Sequence, residues 1–287
     1  MQILRHHFDV PSRSTTYTII PIGDIHIGAA ACDEDRFKRL VKRIEKDANA
    51  RWVGLGDYLD LVNVKDPRFN VATLASWIGV QELSDLARAQ RDHFLDLIEP
   101  IASKCLGLAE GNHETAIHKF TERDVYSDIV NGIKERGKIP ASTPLSLGYY
   151  GWIVLHFTRG VQNNVVKFNI HHGFVGGKLA GAKSLEMQRW LWSHHADVVI
   201  FGHSHNTSMQ VEQTEDLNDA GELVLKKRYG VYAGSFLRTV NEGASTYSEV
   251  KGYLPMPTSG VEIIIRPGAF DGDKDRSEPI RVATGLV

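Results

Sequence analysis

The chain's 287 residues are 42% hydrophobic and 24% charged, an ordinary globular composition with length enough for a sizeable buried core. A net charge of −2 supplies no global basic field for a nucleic-acid backbone, and no stretch approaches the ~18 uninterrupted apolar residues of a membrane span. The first ten residues carry Arg5, His6, His7 and Asp9 without an apolar centre, and Cys32 and Cys105 make no disulfide framework, so no signal peptide and a reducing, cytoplasmic setting are expected.

Residues 15–22 are rich in β-branched side chains and predict a buried strand ending at Gly23-Asp24. Residues 33–49 place Phe37, Leu40, Val41 and Ile44 on one stripe, a helix that Asp33 can cap. A second strand is expected over 51–55, ending at Gly56-Asp57. Two helices broken near Gly79 are expected over 71–98, and a third strand over 104–109, ending at Gly111-Asn112-His113. This β-α-β-α-β order predicts a parallel sheet with right-handed crossovers. Further strands are expected at 145–147, 152–157 and 165–170, the last running into His171-His172. A helix over 184–194 and a strand over 197–201 lead to Gly202-His203. A hairpin follows, with arms at 207–213 and 223–232 around Asn218-Asp219-Ala220-Gly221, then a late strand at 261–266 and a polar tail with Asp271, Asp273 and Asp275. With no repeat and no linker, residues 1–287 are expected to be one domain, with 62–98 available as a helical cap beside the site.

Five polar segments recur where apolar runs end: Asp24-Ile25-His26, Gly56-Asp57-Tyr58-Leu59-Asp60, Gly111-Asn112-His113-Glu114, His171-His172-Gly173 and Gly202-His203-Ser204-His205. Ends of strands are where α/β sheets present functional side chains, and so many buried polar groups are costly unless a metal or substrate satisfies them. Carboxylate, imidazole and amide oxygen without thiolate suit divalent ions such as Mn²⁺, Fe²⁺, Co²⁺ or Zn²⁺ rather than structural zinc. Two ions ~3.5–4 Å apart can grip a phosphate and activate a hydroxide between them. A carboxylate can bridge two ions where imidazole cannot, which makes Asp57 the natural bridge.

In this order the motifs resemble the calcineurin-like metallophosphoesterases, whose pattern runs D-x-H, G-D-x-x-D, G-N-H-[DE], a strand-end His, then G-H-x-H. The resemblance implies an α/β fold, a four-layer α/β/β/α sandwich of two mixed sheets flanked by helices, with the site along their shared edge. It implies two divalent ions, with Mn²⁺ the first choice and Fe²⁺, Zn²⁺, Co²⁺ or Ni²⁺ as alternatives. Asp24, His26 and His205 would hold one ion; Asn112, His172 and His203 the other; Asp57 would lie between. His172 is preferred to His171 because a ligand His followed by Gly is frequent in the family; strand alternation points the two side chains opposite ways. His113 is implied as the general acid for the departing oxygen, with Asp60 the carboxylate that orients it.

The reaction these residues imply is phosphate-ester hydrolysis by attack of a hydroxide held between the two metals. The phosphatase branch follows G-D-x-x-D with Arg-Gly and G-N-H-E with Arg; here Leu61-Val62 and Thr115-Ala116 stand instead. The D-I-H opening and the helical stretch between the second and third motifs resemble the exonuclease branch. Phosphodiester, nucleotide or nucleic-acid substrates are therefore expected, with a phosphomonoesterase and a non-catalytic scaffold as alternatives. No membrane partner is expected, and a homodimer is an open alternative.

Other polar residues receive simpler readings. His6, His7, His93, His118, His156, His194 and His195 are expected to be structural or on the surface, and Glu114 to cap locally. Trp77, Trp190 and Trp192 are expected to pack helices, and Lys226-Lys227-Arg228 to lie on an exposed hairpin. The tail acids lack the Glu at loop position 12 of an EF-hand.

Overall fold

The structure, a computed structural model, describes residues 1–62, 66, 69–117, 123–174, 180–217, 220–240, 258–271 and 279–285. Its strands are β1 (Gln2–Asp9), β2 (Tyr17–Ile22), β3 (Ala50–Gly54), β4 (Cys105–Ala109), β5 (Ser146–Gly148) and β6 (Tyr150–Arg159). They continue with β7 (Gln162–His171), β8 (Val198–Phe201), β9 (Thr207–Leu217), β10 (Leu223–Ala233), β11 (Val261–Ile265) and β12 (Ile280–Thr284). The helices are α1 (Glu34–Lys46), α2 (Leu86–Ile98), α3 (Asn112–Ile117), α4 (Val125–Arg136) and α5 (Ala180–Ser193).

These strands form two six-stranded sheets, one ordered β12-β11-β2-β3-β4-β5 and the other β1-β6-β7-β8-β10-β9. β2, β3, β4 and β5 are mutually parallel, as the β-α-β-α-β reading requires, while β11 and β12 add antiparallel at the edge. In the second sheet β7, β8 and β10 are parallel, and β6 and β9 run against them. Both sheets are mixed.

Burial divides the apolar side chains into three layers. Val53, Leu55, Leu106, Ile153, Phe168, Ile200 and Ile263 fill the space between the sheets. Phe37, Leu40 and Ile44 of α1, Phe94 and Ile98 of α2, and Ile129 and Ile133 of α4 cover the outer face of the first sheet with Trp52 and Leu108. Met187 and Leu191 of α5 cover the second sheet through Val199, Phe201 and Tyr232. Helix, sheet, sheet, helix is the expected four-layer order. Each layer follows from binary patterning: α1 buries its predicted stripe, and Asp33 accepts from the Arg36 N–H as its cap.

Several elements differ from the sequence reading. The N-terminal segment is strand β1, hydrogen-bonded parallel to β6, despite its Arg-His-His run. Its alternation is preserved, since Leu4 is buried while Ile3 and Arg5 face out. Residues 71–85 hold only 3-10 turns at Val71–Thr73 and Glu82–Asp85, not a helix. Their backbone is committed to tertiary pairing: the Ala30 N–H donates to the Thr73 carbonyl and the Ala75 N–H to Gly28. The second half of the stretch, α2, lies in the helix layer of the main core. Helix α4 is an additional element, in which Val125, Tyr126, Ile129, Val130 and Ile133 follow helical spacing behind the Asp124 cap. β12 is a further additional element.

The hairpin arms are longer than expected, Thr207–Leu217 and Leu223–Ala233, while Asn218 and Asp219 lie outside the described residues. Arg228 is not on an exposed face: it is buried and donates to the carbonyls of Leu191 and His194. Trp192 does not pack a helix but stands 61% exposed, whereas Trp190 packs on Phe201 and His194. His118 and the tail residues Asp273 and Asp275 lie outside the described residues. Cys32 and Cys105 are both free and buried. Among the described residues no helix is long and apolar enough to cross a membrane.

Candidate metal centre

All five polar segments meet along one edge, at the C-terminal ends of β2, β3 and β4 in the first sheet and of β7 and β8 in the second. Local backbone makes this possible. Asp24, His26, Asp57, His203 and His205 all have φ between 48° and 60°, a left-handed conformation that costs a non-glycine residue about 1–2 kcal/mol. These five residues turn the chain sharply after β2, β3 and β8, so that carboxylates and imidazoles face inward. Gly56 (φ 91°) makes a close approach: a Cβ there would lie 2.5 Å from the Gly111 nitrogen, so glycine at this position lets the second and third segments touch.

Glu114 is fully buried and binds these segments together. Its Oε2 accepts from the backbone N–H groups of Asp57 (2.9 Å) and Gly111 (3.0 Å), and its Oε1 from Tyr58 (2.8 Å) and Leu59 (3.3 Å). The expected local cap is therefore also a long-range tie. Burial and the Asp57 charge push the Glu114 carboxyl up to about 7. Replacing Glu114 with Ala strands four buried donors at ~1–3 kcal/mol each, so we expect a loss of about 3 kcal/mol or more in chemical denaturation. A change below about 1 kcal/mol would contradict the tie.

Beside a group formed by His26, Asp60 and His113, two donor sets hold the expected ligands. In the first, ligand atoms of Asp24, His26 and His205 lie within 4.8 Å of one another. His26 Nε2 is 3.3 Å from His205 Nε2, and His205 Nε2 is 3.4 Å from Asp24 Oδ1. Asp24 Oδ2 accepts from the His203 N–H at 2.8 Å, but its buried Oδ1 has no hydrogen-bond partner. In the second set, Asp57, His172 and His203 meet the same 4.8 Å limit. His172 Nε2 lies 3.5 Å from Asp57 Oδ2 and 3.0 Å from Asn112 Oδ1. The Leu55 carbonyl accepts from the His172 Nδ1–H at 2.7 Å, which turns Nε2 toward the set.

Electrostatics follows the same division. Burial opposes a proton on His172, but the Asp57 charge and hydrogen bond outweigh it and lift its pKa to about 9. Burial likewise opposes the charge of Asp57, yet His172, His113 and His26 hold its carboxyl well below the usual range. Burial lowers His26 and His203. His171 sits elsewhere: its ring packs against Trp190, Phe201 and Phe174 on the α5 side, its Nδ1 accepts from the Gly173 N–H, and burial drops its pKa to about 4.

His113 opens α3, its N–H donating to Asp57 Oδ1 at 2.9 Å. Its ring stands edge-on to His26, with centroids 4.7 Å apart. The structure alters the expected role of Asp60. Its backbone carbonyl, not its carboxylate, accepts from His113 Nδ1, while its Oδ1 lies 3.7 Å from His26 Nδ1. His113 Nε2 is thus the free ring nitrogen. Burial works against a proton there, but Asp57 and Asp60 together raise the pKa.

Further groups at the site had no signal in the sequence. The Ser235 hydroxyl (2.9 Å) and the Phe236 N–H (3.1 Å) both donate to the Asp24 carbonyl and so hold that strained residue from the end of β10. Lys183 on α5 donates to the Ser204 carbonyl, between His203 and His205, at 3.0 Å. Glu34, His93 and Trp77 clasp the start of α1 to α2 and to the segment that pairs with residues 28–30.

A bare, buried carboxylate oxygen, facing imidazole nitrogens and a second carboxylate–amide–imidazole set fit divalent cations with oxygen and nitrogen ligands. Fold and site together define a two-sheet α/β protein with adjacent candidate cation-binding sets at its shared sheet edge. Residues 17–207 match the family described as calcineurin-like phosphoesterase, and the chain belongs to that family. No curated protein sequence matches it. Among solved structures, a conserved uncharacterised protein of Streptococcus pneumoniae, a predicted phosphoesterase, is 11% identical over 94% of this chain and 98% of its own, with a TM-score of 0.33. Chaetomium thermophilum Vps29 is 17% identical over 93% and 95%, with a TM-score of 0.34. A metallophosphoesterase of Sphaerobacter thermophilus is 12% identical over 88% and 84%, with a TM-score of 0.35.

Proposed function

We propose that this protein is a dinuclear metal-dependent phosphodiesterase acting on nucleotide or nucleic-acid esters. The observation that carries the reading is the pair of adjacent donor sets, one of them presenting the unpartnered Asp24 Oδ1. Asp24, His26 and His205 would hold one ion, Asn112, His172 and His203 the other, with Asp57 shared between them. When bound, two such ions supply Lewis acidity toward phosphoryl oxygens and lower the pKa of water, and Mn²⁺ is the first candidate.

The chain's own residues do the rest. Asp57 uses Oδ1 to fix the backbone of His113 and keeps Oδ2 toward His172. The Asp60 carbonyl accepts a hydrogen bond from His113 Nδ1–H and so fixes the ring, leaving the Nε2 proton of the protonated imidazole to pass to the departing oxygen. The Leu55 carbonyl fixes the His172 ring in the same way. The diester preference rests on Leu61-Val62 and Thr115-Ala116, which stand where the phosphatase branch carries arginines.

The test is hydrolysis by Mn²⁺-loaded protein of bis-p-nitrophenyl phosphate against p-nitrophenyl phosphate, with single-stranded DNA alongside. Faster turnover of the diester or of DNA is expected. Preference for the monoester would replace the reading with a phosphomonoesterase, and no turnover with Mn²⁺, Fe²⁺, Zn²⁺, Co²⁺ or Ni²⁺ would leave a scaffold.

A further inference from the structure

Lys183, in the first turn of α5, turns its side chain into the protein rather than out to water. It is 7% exposed, and its Nζ donates to the Ser204 carbonyl at 3.0 Å and to Asn206 Oδ1 at 3.3 Å. Those two acceptors belong to the residues immediately before and after His205. The Ser204 hydroxyl also donates to Asn206 Oδ1, so one amide oxygen joins both flanks of that histidine.

Burying an ammonium in this way is costly. Burial lowers the pKa of Lys183, and its partners among the described residues are carbonyl and amide oxygens rather than a carboxylate. Nor does α5 need the ammonium to stay on its sheet. Met187 and Leu191 are buried there, the Trp190 Nε1–H donates to Asn169 Oδ1 at 2.6 Å, and Arg228 donates to the Leu191 carbonyl. The Tyr232 hydroxyl donates to the Lys183 carbonyl at 3.0 Å and so fixes the backbone from which the ammonium reaches.

His205 is the donor that gains from this contact. The side chains of its partners Asp24 and His26 are 0% and 4% exposed, whereas that of His205 is 24% exposed and less held by packing. Its φ of 55° is left-handed, as is that of His203 at 60°. His203 has a tether of its own, its N–H donating to Asp24 Oδ2 at 2.8 Å. Beyond His205 the Gly234 N–H donates to the Asn206 carbonyl at 3.1 Å, and Lys183 reaches both flanks.

We propose that Lys183 is a positioning residue: by bridging Ser204 and Asn206 it holds His205 with its imidazole toward Asp24 and His26, set to take a divalent cation. The inference rests on the dinuclear reading and deepens it by naming what builds the first cation site. Because His203 is tethered separately, the loss of Lys183 should fall on the set of Asp24, His26 and His205 and spare the set of Asp57, His172 and His203.

The test is a calorimetric titration of the metal-free protein with Mn²⁺, which reads the cation sites without turnover. Lys183→Met keeps the apolar stem and removes the donors; it should weaken one Mn²⁺ site by about tenfold or more and leave the other unchanged. Asn206→Ala removes one acceptor without touching α5, and should give a smaller loss at the same site; it carries the test should Lys183→Met fail to fold. The decisive arm is a cycle with His205→Ala. Once the imidazole is gone, Lys183→Met should cost no further affinity, whereas a lysine that only stabilises the fold would add its loss in either background. Two sites of native affinity in the folded variants, or full additivity in the cycle, overturns the positioning role and leaves the dinuclear reading standing. Failure of the native protein to bind two Mn²⁺ would overturn that reading and the inference with it.

Discussion

Asp57→Asn should yield a folded protein that no longer holds two divalent ions. The side chain is 1% exposed and divides its oxygens between the His113 N–H and the His172 imidazole. Asparagine keeps the volume and one acceptor, but it removes the charge and can aim an amide N–H at His172 Nε2, itself a lone-pair donor to the cation. Changes to groups that only support a ligand weaken metal affinity by about 10–100-fold, so loss of a shared carboxylate should exceed ~100-fold at one site at least. Elemental analysis after equilibration with Mn²⁺ reads this directly, and hydrolysis should fall with occupancy. Retention of two ions per chain would remove Asp57 from its place between the sets.

The second large effect separates catalysis from metal binding. His113→Ala should keep the native metal content, because the backbone N–H that meets Asp57 survives the substitution. Turnover should fall by about 10²–10⁴, the usual worth of a general acid. Its dependence on leaving group is the sharper signature. A p-nitrophenolate departs with little need of a proton, so bis-p-nitrophenyl phosphate should lose much less rate than an ester with an alkoxide leaving group. Equal losses for the two substrates would assign His113 to positioning rather than proton transfer.

Both predictions depend on how the edge is built. The left-handed residues are conformations that an isolated chain avoids, and they persist because neighbouring segments over-determine them. Asp24 is held through its carbonyl by Ser235 and Phe236, and Asp57 through its N–H by Glu114. The donor residues are thus held by hydrogen bonds from groups outside the two sets, and such preorganisation would keep the reorganisation cost of the proposed catalysis low.

Much of this was legible in the linear chain, for identifiable reasons. Strand ends are marked where β-branched runs meet Gly-Asp, Gly-Asn or Gly-His, so β2, β3, β4 and β8 and the polar segments after them could be located. The stripe of α1 showed its buried face in the same way. β1 was hidden because its pairing with β6 supplies what its composition does not. The helix expected over 71–79 was lost because the Gly28–Ala30 backbone competes for its hydrogen bonds. Local propensity is a weak prior wherever tertiary partners offer the same bonds.

Sequence by itself determined which chemistry is available: acid, amide and imidazole groups in five ordered segments, no thiolate among them, and the two-sheet α/β class that presents them. Tertiary structure alone decided the roles. It turned His172 into the set with Asp57 and His171 into the aromatic layer, made the Asp60 carbonyl rather than its carboxylate the partner of His113, and extended Glu114 from a cap to a tie. The reason is physical: residue type and strand spacing are local properties, written in the chain. Hydrogen-bond partners, tautomers and burial arise only when segments distant in sequence converge.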